Sequence, residues 1–243
     1  MAKAIPLEQL PVLSRKNEDA GQISLDSGAI LLMDKDPGWS SFDVVKKVRN
    51  LLKVKKIGHA GTLDPAATGL LVLCTGKATK SIEQIQQQEK TYVGEICFGA
   101  STPSYDGETP VDRQAEWEHI TAGQLESVME GKFSGVIDQT VPPFSAVKVD
   151  GQRLYKKARK GEATELKTRE VEIHQISLKN FTPPVAEVEI RCSKGTYIRS
   201  IAHDLGLAVD SRAHLSSLRR TAIGEFTVDE AFTVDELKQH LKR

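Results

Sequence analysis

Gly58-His59-Ala60-Gly61-Thr62-Leu63-Asp64-Pro65, continuing through Thr68-Gly69 into Leu70-Leu71-Val72-Leu73, sets one carboxylate in a glycine-flanked loop just ahead of an apolar run. The run Leu70–Cys74 is short and bounded by turn residues, the pattern of a buried strand. Such a strand needs no aspartate for its core. Pro65 holds the backbone of Asp64 extended, and the two glycines let another segment of backbone come close. Two readings of Asp64 stay open on local grounds: a turn or capping residue, or a reacting carboxylate.

Working outward, Ala29–Met33 is a second apolar run, read as a buried strand. Asp34-Lys35-Asp36-Pro37-Gly38-Trp39 is turn chemistry. Ser40 or Ser41 then caps a helix in which Val44, Val45, Val48, Leu51 and Leu52 recur at helical spacing, with lysines on the other face. Residues 1–28 are polar with scattered apolar positions and read as an extension packed on the domain. Downstream, Ala78–Glu89 reads as a helix. Thr91–Phe98 reads as a strand with Tyr92, Gly94, Ile96 and Phe98 on one face. Thr121 opens a further helix through Leu125 and Met129, and Val149-Asp150-Gly151 marks a hairpin turn. Leu154–Lys160 reads as a short basic helix. Val171–Leu178 and Val185–Cys192 read as strands, the second with Ala186, Val188, Ile190 and Cys192 alternating against charged residues. Lys194-Gly195-Thr196 turns the chain into a helix carrying Ile198, Ile201 and Leu205. Leu215–Phe226 contains a final strand, and Asp235–Arg243 a terminal helix. Helices and antiparallel-looking strands mix without a β-α-β rhythm, so the class is α+β.

The chain has 243 residues, 39% hydrophobic and 27% charged, an ordinary globular composition. No apolar run approaches the roughly 20 residues of a membrane span, and the N-terminus lacks the apolar centre of a signal peptide. Cys74, Cys97 and Cys192 are far apart within apolar patterns, which reads as a reduced, cytoplasmic chain with buried thiols. The formal net charge of zero hides an asymmetry. Lys46–Lys56 holds six bases and no acid, and Lys148–Arg169 carries net +5, whereas Glu83–Glu130 carries net −8. Basic stretches of this kind suit a polyanion, against the plainer reading of solvated faces.

No second carboxylate lies near Asp64 in sequence, which weakens a two-acid glycosidase reading. His59 has no Cys or His partners at ligand spacing, so a hydrogen-bonding or stacking role suits it better than metal binding. Tyr92 and Tyr197 are core residues or stacking platforms for an unpaired base. Arg199 is an exposed helix residue or a partner that keeps an aspartate ionised and oriented.

Taken together, these stretches resemble the TruB family, bacterial tRNA pseudouridine synthases that act on the T-loop uridine conventionally numbered 55. The loop Gly58–Pro65 with Ala67-Thr68-Gly69 carries the resemblance most specifically. Gly76-Lys77-Ala78-Thr79-Lys80, Lys90-Thr91-Tyr92, Pro142-Pro143, Ser145-Ala146, Lys148, Arg153-Leu154-Tyr155, Cys192 through Arg199, and Leu218-Arg219-Arg220-Thr221 extend it over about Ala29–Phe226. The resemblance implies a pseudouridine-synthase fold, a mixed or antiparallel central sheet flanked by helices, with a thumb insertion at about 142–169 in a catalytic domain of 29–243. It implies Asp64 as the essential aspartate, Tyr92 against the flipped uracil, and Arg199 paired with Asp64. Tyr197 and Leu218 would line the uracil pocket, His59 would enter the T-loop, and Lys80 would lie near the cleft. Lys148, Arg153, Lys156, Lys157 and Arg159 would contact RNA phosphates. The implied partner is the T-arm of tRNA, met by a monomer without guide RNA, membrane, cofactor or metal. The chain ends soon after Phe226, so a form without the C-terminal PUA module of many relatives is expected. The usual Asp-Lys-Pro-x-Gly reads Asp34-Lys35-Asp36-Pro37-Gly38 here, which puts that turn in question. The rival readings are an RNA-folding factor without turnover and a nucleoside hydrolase or glycosidase. The first would not need Asp64, Tyr92 and Arg199 together; the second would need another acid or a metal cluster.

Overall fold

The computed structural model describes residues 4–17, 23–145, 147–149, 152–159 and 166–242. In chain order its elements are β1 (Val12–Leu13), β2 (Ile30–Lys35), α1 (Ser41–Leu52), β3 (Ile57–His59), β4 (Thr68–Thr75), α2 (Ile82–Gln87), β5 (Lys90–Phe98), β6 (Ala100–Ser101) and β7 (Arg113–Gln114). They continue with α3 (Ala122–Lys132), β8 (Gly135–Thr140), β9 (Lys148–Val149), β10 (Gln152–Arg153), α4 (Leu154–Arg159), β11 (Thr168–Thr182), β12 (Val185–Cys192), α5 (Ile198–Ala208), β13 (Ala213–Ile223), β14 (Phe226–Thr227) and α6 (Val234–His240). Contacts divide the chain into two units, residues 1–92 with 219–243, and residues 93–218. The unit boundaries fall inside β5 and β13. Among the described residues no helix is long and apolar enough to cross a membrane.

In the first unit the strand order is β1-β2-β4-β13, with β3 beside β4 and β14 beside β13. β2 runs antiparallel to β4, pairing Ile30 with Cys74 and Lys35 with Gly69. β13 runs parallel to β4 for a short stretch, pairing Arg219 with Thr68 and Arg220 with Gly69. β2 and β4 are covered on both faces, which is why they read as continuous apolar runs. Ile30, Leu32, Leu70 and Val72 pack with Ala60, Ile85 and Ile223 on one side. Leu31, Met33, Leu71 and Leu73 pack with Val44, Val48 and Leu237 on the other. The N-terminal extension joins this core: β1 adds to β2 in parallel, and Ile5, Leu7 and Val12 pack against it. α1 starts as read. Ser40 is its N-cap and forms a reciprocal capping box with Asp43, an arrangement that satisfies two otherwise unpaired N–H groups.

In the second unit β5, β12, β11 and β8 are successive neighbours, antiparallel at β11–β12 and β11–β8. β12 alternates half-buried and buried residues as its sequence requires. α3, capped by the Thr121 side chain, packs on β11 and α5. β9 and β10 form the expected two-stranded hairpin; its Asp150-Gly151 turn lies outside the described residues.

Three expectations need correction. The helix expected over Ala78–Glu89 is a 3-10 turn over Gly76–Ser81 followed by the short α2. The second-unit strand expected at Val171–Leu178 extends to fifteen residues as β11. The terminal helix is shorter than Asp235–Arg243, ending at His240.

Candidate active site

Asp64 sits half-buried in the loop between β3 and β4, where the Ala67 N–H donates to its carbonyl at 3.1 Å. Three buried side chains fix that loop from outside it. Ser41, at the start of α1, accepts from the Leu63 N–H at 2.9 Å and donates to the Leu63 carbonyl at 3.2 Å. Lys35, at the end of β2 and 1% exposed, donates to the carbonyls of Asp36 at 3.0 Å, Trp39 at 2.8 Å and Pro65 at 3.1 Å. Its three ammonium donors are thereby all engaged. Arg220, 2% exposed on β13, donates through Nε to the Leu70 carbonyl at 2.7 Å and through Nη2 to the Gly61 carbonyl at 3.2 Å. The Gly38 N–H adds a backbone bond to the Pro65 carbonyl at 2.8 Å. The shifted proline in Asp36-Pro37-Gly38 therefore leaves this tie in place.

Gly69 shows why the loop is built as it is. Its φ is +97°, and a Cβ there would lie 2.3 Å from the Arg220 carbonyl oxygen. Only glycine lets β13 approach the start of β4 so closely. Successive arginines on β13 then point to opposite faces. Arg220 reaches the loop carbonyls, while Arg219 grips Asp34 with two bonds of 3.0 and 2.7 Å, a bidentate pairing that fixes direction as well as distance.

Charge follows from this packing. Burial pushes the Lys35 ammonium below its ordinary range, opposed by the carboxylates of Asp36 and Asp64 and reinforced by Arg220. Asp64 is therefore within the field of a buried cation in its own unit. His59, on β3, is half-buried. Burial pushes its imidazole down, Arg220 adds to the push, and a bond donated to the Gly61 carbonyl opposes it. Its Nδ1 is buried without a hydrogen-bond partner among the described residues. Tyr92 is half-buried at the end of the first unit, and Lys80 is exposed in the 3-10 turn after β4.

The remaining expected site residues belong to the second unit. Arg199, in the first turn of α5, is 4% exposed, so it is not the surface helix residue of the plainer reading. Its guanidinium donates to the carbonyls of Ser104 and Phe144, each at 3.1 Å, and lies 3.6 Å from the Asp106 carboxylate. Tyr197 is the N-cap residue of α5. Buried Gln139 holds it from both sides, accepting from its N–H at 2.7 Å and donating to its carbonyl at 3.0 Å. The Arg169 guanidinium lies over the Tyr197 ring, 5.0 Å from its centre, a cation–π distance. Leu218 is half-buried on β13. Lys148 and Arg153 fall on the β9–β10 hairpin, and Lys156, Lys157 and Arg159 on α4. The side chains of Lys148, Arg153, Lys156 and Arg159 lie outside what is described, and that of Lys157 is half-buried.

The residues that brace the site were not legible as such. Lys35 and Arg220 belong to types that are rarely buried. Their motifs drew notice, but only the fold brings the carbonyls of Gly61, Pro65 and Leu70 to them. Asp106 and Gln139 carried no signal beyond their loop and strand. Among the described residues no group of three or more His, Cys, Asp or Glu is placed to hold a metal ion.

Comparison with known proteins adds a separate line. The N-terminal domain of the TruB family pseudouridylate synthases matches residues 49–198, and the tRNA pseudouridylate synthase B C-terminal domain matches residues 199–243. The tRNA pseudouridine synthase B of Flavobacterium johnsoniae is 46% identical over 222 residues, covering 88% of this chain and 96% of that protein. That of Symbiobacterium thermophilum is 44% identical over 225 residues, covering 91% of this chain and 74% of its own. Among solved structures, a Cbf5-Nop10-Gar1 complex aligns with a TM-score of 0.69 at 29% identity, over 88% of this chain and 54% of that one. An H/ACA RNP bound to a substrate RNA containing 2'-deoxyuridine aligns at 0.66 and 26%, over 88% and 53%. The chain thus spans about half the length of these solved chains.

Proposed function

The chain belongs to the TruB family of pseudouridylate synthases, and on that premise we propose that it converts the T-loop uridine of tRNA, position 55, to pseudouridine, with Asp64 as the reacting carboxylate. The observation that carries this reading is the bracing of one loop. Lys35, Ser41 and Arg220 all bond to backbone of the segment that presents Asp64, so a half-buried carboxylate is held on a rigid frame. Positioning of this kind is what a covalent or proton-transfer step needs from a protein.

The reaction breaks the C1′–N1 bond, turns the uracil and joins C1′ to C5; the C5 proton leaves and N1 gains one. It is an isomerisation with no net oxidation and no group passed to a second molecule, so its chemistry calls for no cofactor. Asp64 acts either by attack on C1′ or by assisting removal of the C2′ proton to give a glycal. In this reading Tyr92 lies against the uracil, Tyr197 and Leu218 line its pocket, and Arg199 pairs with Asp64. His59 enters the T-loop and Lys80 lies at the cleft. The stretch 142–169 acts as a thumb whose Lys148, Arg153, Lys156, Lys157 and Arg159 grip T-arm phosphates without a guide RNA. The apolar side chains of Leu218 and Tyr92 keep water from capturing the sugar.

The test is incubation of purified protein with a T-arm stem-loop RNA and with whole tRNA, without added metal or cofactor. Pseudouridine is followed by nucleoside mass spectrometry after carbodiimide derivatisation. Product at the single T-loop uridine is expected. Bound RNA without product on either substrate would overturn the reading in favour of an RNA-folding factor.

A further inference from the structure

The outer face of α1 carries chemistry that the isomerisation does not use. Phe42, in the first turn, is 69% exposed. At 100° per residue, Lys46 and Arg49 fall within about 60° of one another on the same stripe as Phe42. Lys53, the C-cap residue with φ 53°, extends that stripe. Lys47, Lys55 and Lys56 flank it, and all six bases are exposed. Among the described residues none of the six forms an ion pair. The one acid on this face, Asp43, is turned to the helix start, accepting from the Ser40 N–H at 3.1 Å and Ser40 Oγ at 2.6 Å.

A lone exposed phenyl ring needs no explanation. This one heads a row of bases of which Lys46 alone lies in the field of an acid, Asp43. Arg49 has like charges three residues before it and four after it, spacings that destabilise a helix when the signs match. The arrangement gains when a polyanion covers it. Bases alone would serve phosphates. Bases in line with an accessible aromatic ring form the combination that holds single-stranded nucleic acid, charge on the backbone and a ring under a base. The stripe also begins at the reactive loop: Ser41, beside Phe42, holds both backbone groups of Leu63, the residue before Asp64. From Phe42 to Lys53 it runs roughly 16 Å along the helix.

We propose that the outer face of α1 binds the substrate RNA strand that flanks the isomerised uridine, with Phe42 stacking on an unpaired base and Lys46, Arg49 and Lys53 contacting successive phosphates. This rests on the reading that the substrate is RNA. The test uses the full chain with three variants: Phe42→Ala, Phe42→Trp, and K46Q/R49Q/K53Q. All four positions are exposed, and thermal melts check that the variants fold. RNA binding is measured against salt, and pseudouridine formation under single-turnover conditions. The triple variant is expected to bind about 10–100-fold more weakly at moderate salt, with a salt slope lower by about 2–3. At saturating RNA its rate should stay near wild type. Phe42→Ala should weaken binding about fivefold or more, and the Phe42→Trp indole should be quenched on RNA addition. A triple variant whose binding and salt slope match an active wild type would overturn the proposal, and an unquenched Phe42→Trp would overturn the stacking. If wild type makes no pseudouridine but the triple variant still loses RNA binding, the reaction assigned to the chain fails and this surface stands.

Discussion

In the first unit, buried bases brace a loop that carries a carboxylate; in the second, backbone carbonyls and a carboxylate brace a buried base. Lys35 and Arg220 direct their donors to the carbonyls of Pro65, Leu70 and Gly61, so they set the path of the Asp64 loop. Arg199 is held by the Ser104 and Phe144 carbonyls at 3.1 Å. Asp106, at 3.6 Å, is too far for a strong hydrogen bond and acts on Arg199 mainly through charge. The first arrangement is a geometric lock, and losing a base should loosen the loop. The second is a charge balance laid over a geometry that the carbonyls already fix.

If that contrast holds, Arg220→Leu has the largest structural effect. It strands the Leu70 and Gly61 carbonyls in the core and should cost about 3–5 kcal/mol, read by urea unfolding, with a fall in single-turnover rate in whatever protein still folds. A loss under 1 kcal/mol would break the lock interpretation. Lys35→Met keeps the length and removes three donors, so about 2–3 kcal/mol is expected. Here the same measurement separates bracing from mere filling of space.

Asp204, also on α5, sharpens the second half of the contrast because burial acts on it without compensation, pushing its carboxyl up to about 6. A folded-state value above the ordinary carboxylate range means that the folded protein favours the protonated form. The penalty is absent below about pH 4 and grows until pH passes about 6. Asp204→Asn should therefore stabilise the protein by about 1–2 kcal/mol at pH 7.5 and by nothing at pH 4. An equal gain at both values would show that packing, not charge, is responsible. The smallest effect is expected from Asp106→Asn, which keeps the shape and removes the charge. A drop of about fivefold in single-turnover rate, near 1 kcal/mol, should come with unchanged RNA affinity. A change in affinity alone would place Asp106 outside the balance around Arg199.

The same contrast explains what could be read in advance. β2 and β4 were legible because they are buried on both faces, and β12 because its burial alternates residue by residue. α1 announced itself through Ser40 and its apolar spacing. β8, Gly135–Thr140, gave no signal: it is an edge strand, mostly exposed, with one fully buried side chain, Gln139. It exists through its pairing with β11. β1 and β3 are two and three residues long and are likewise made by their neighbours. The break between the 3-10 turn and α2 is invisible to helical spacing, because the two residues that set the spacing, Ile82 and Ile85, both lie beyond it in α2. Of the proposed site, the glycine-flanked setting of Asp64 left a turn residue and a reacting carboxylate both open, and only the family resemblance singled it out. The braces could not be singled out, since a buried lysine or arginine is explained only by carbonyls that the folded loop supplies.

The central claim is that the loop is rigid so that Asp64 can react. The most direct measurement compares wild type with Asp64→Asn on one T-arm RNA, recording the dissociation constant and the single-turnover rate of pseudouridine formation. Binding within a few fold of wild type, with the rate down by at least about a thousandfold, is the predicted result. A variant that loses binding and rate in equal measure, or one that still makes pseudouridine, would contradict it.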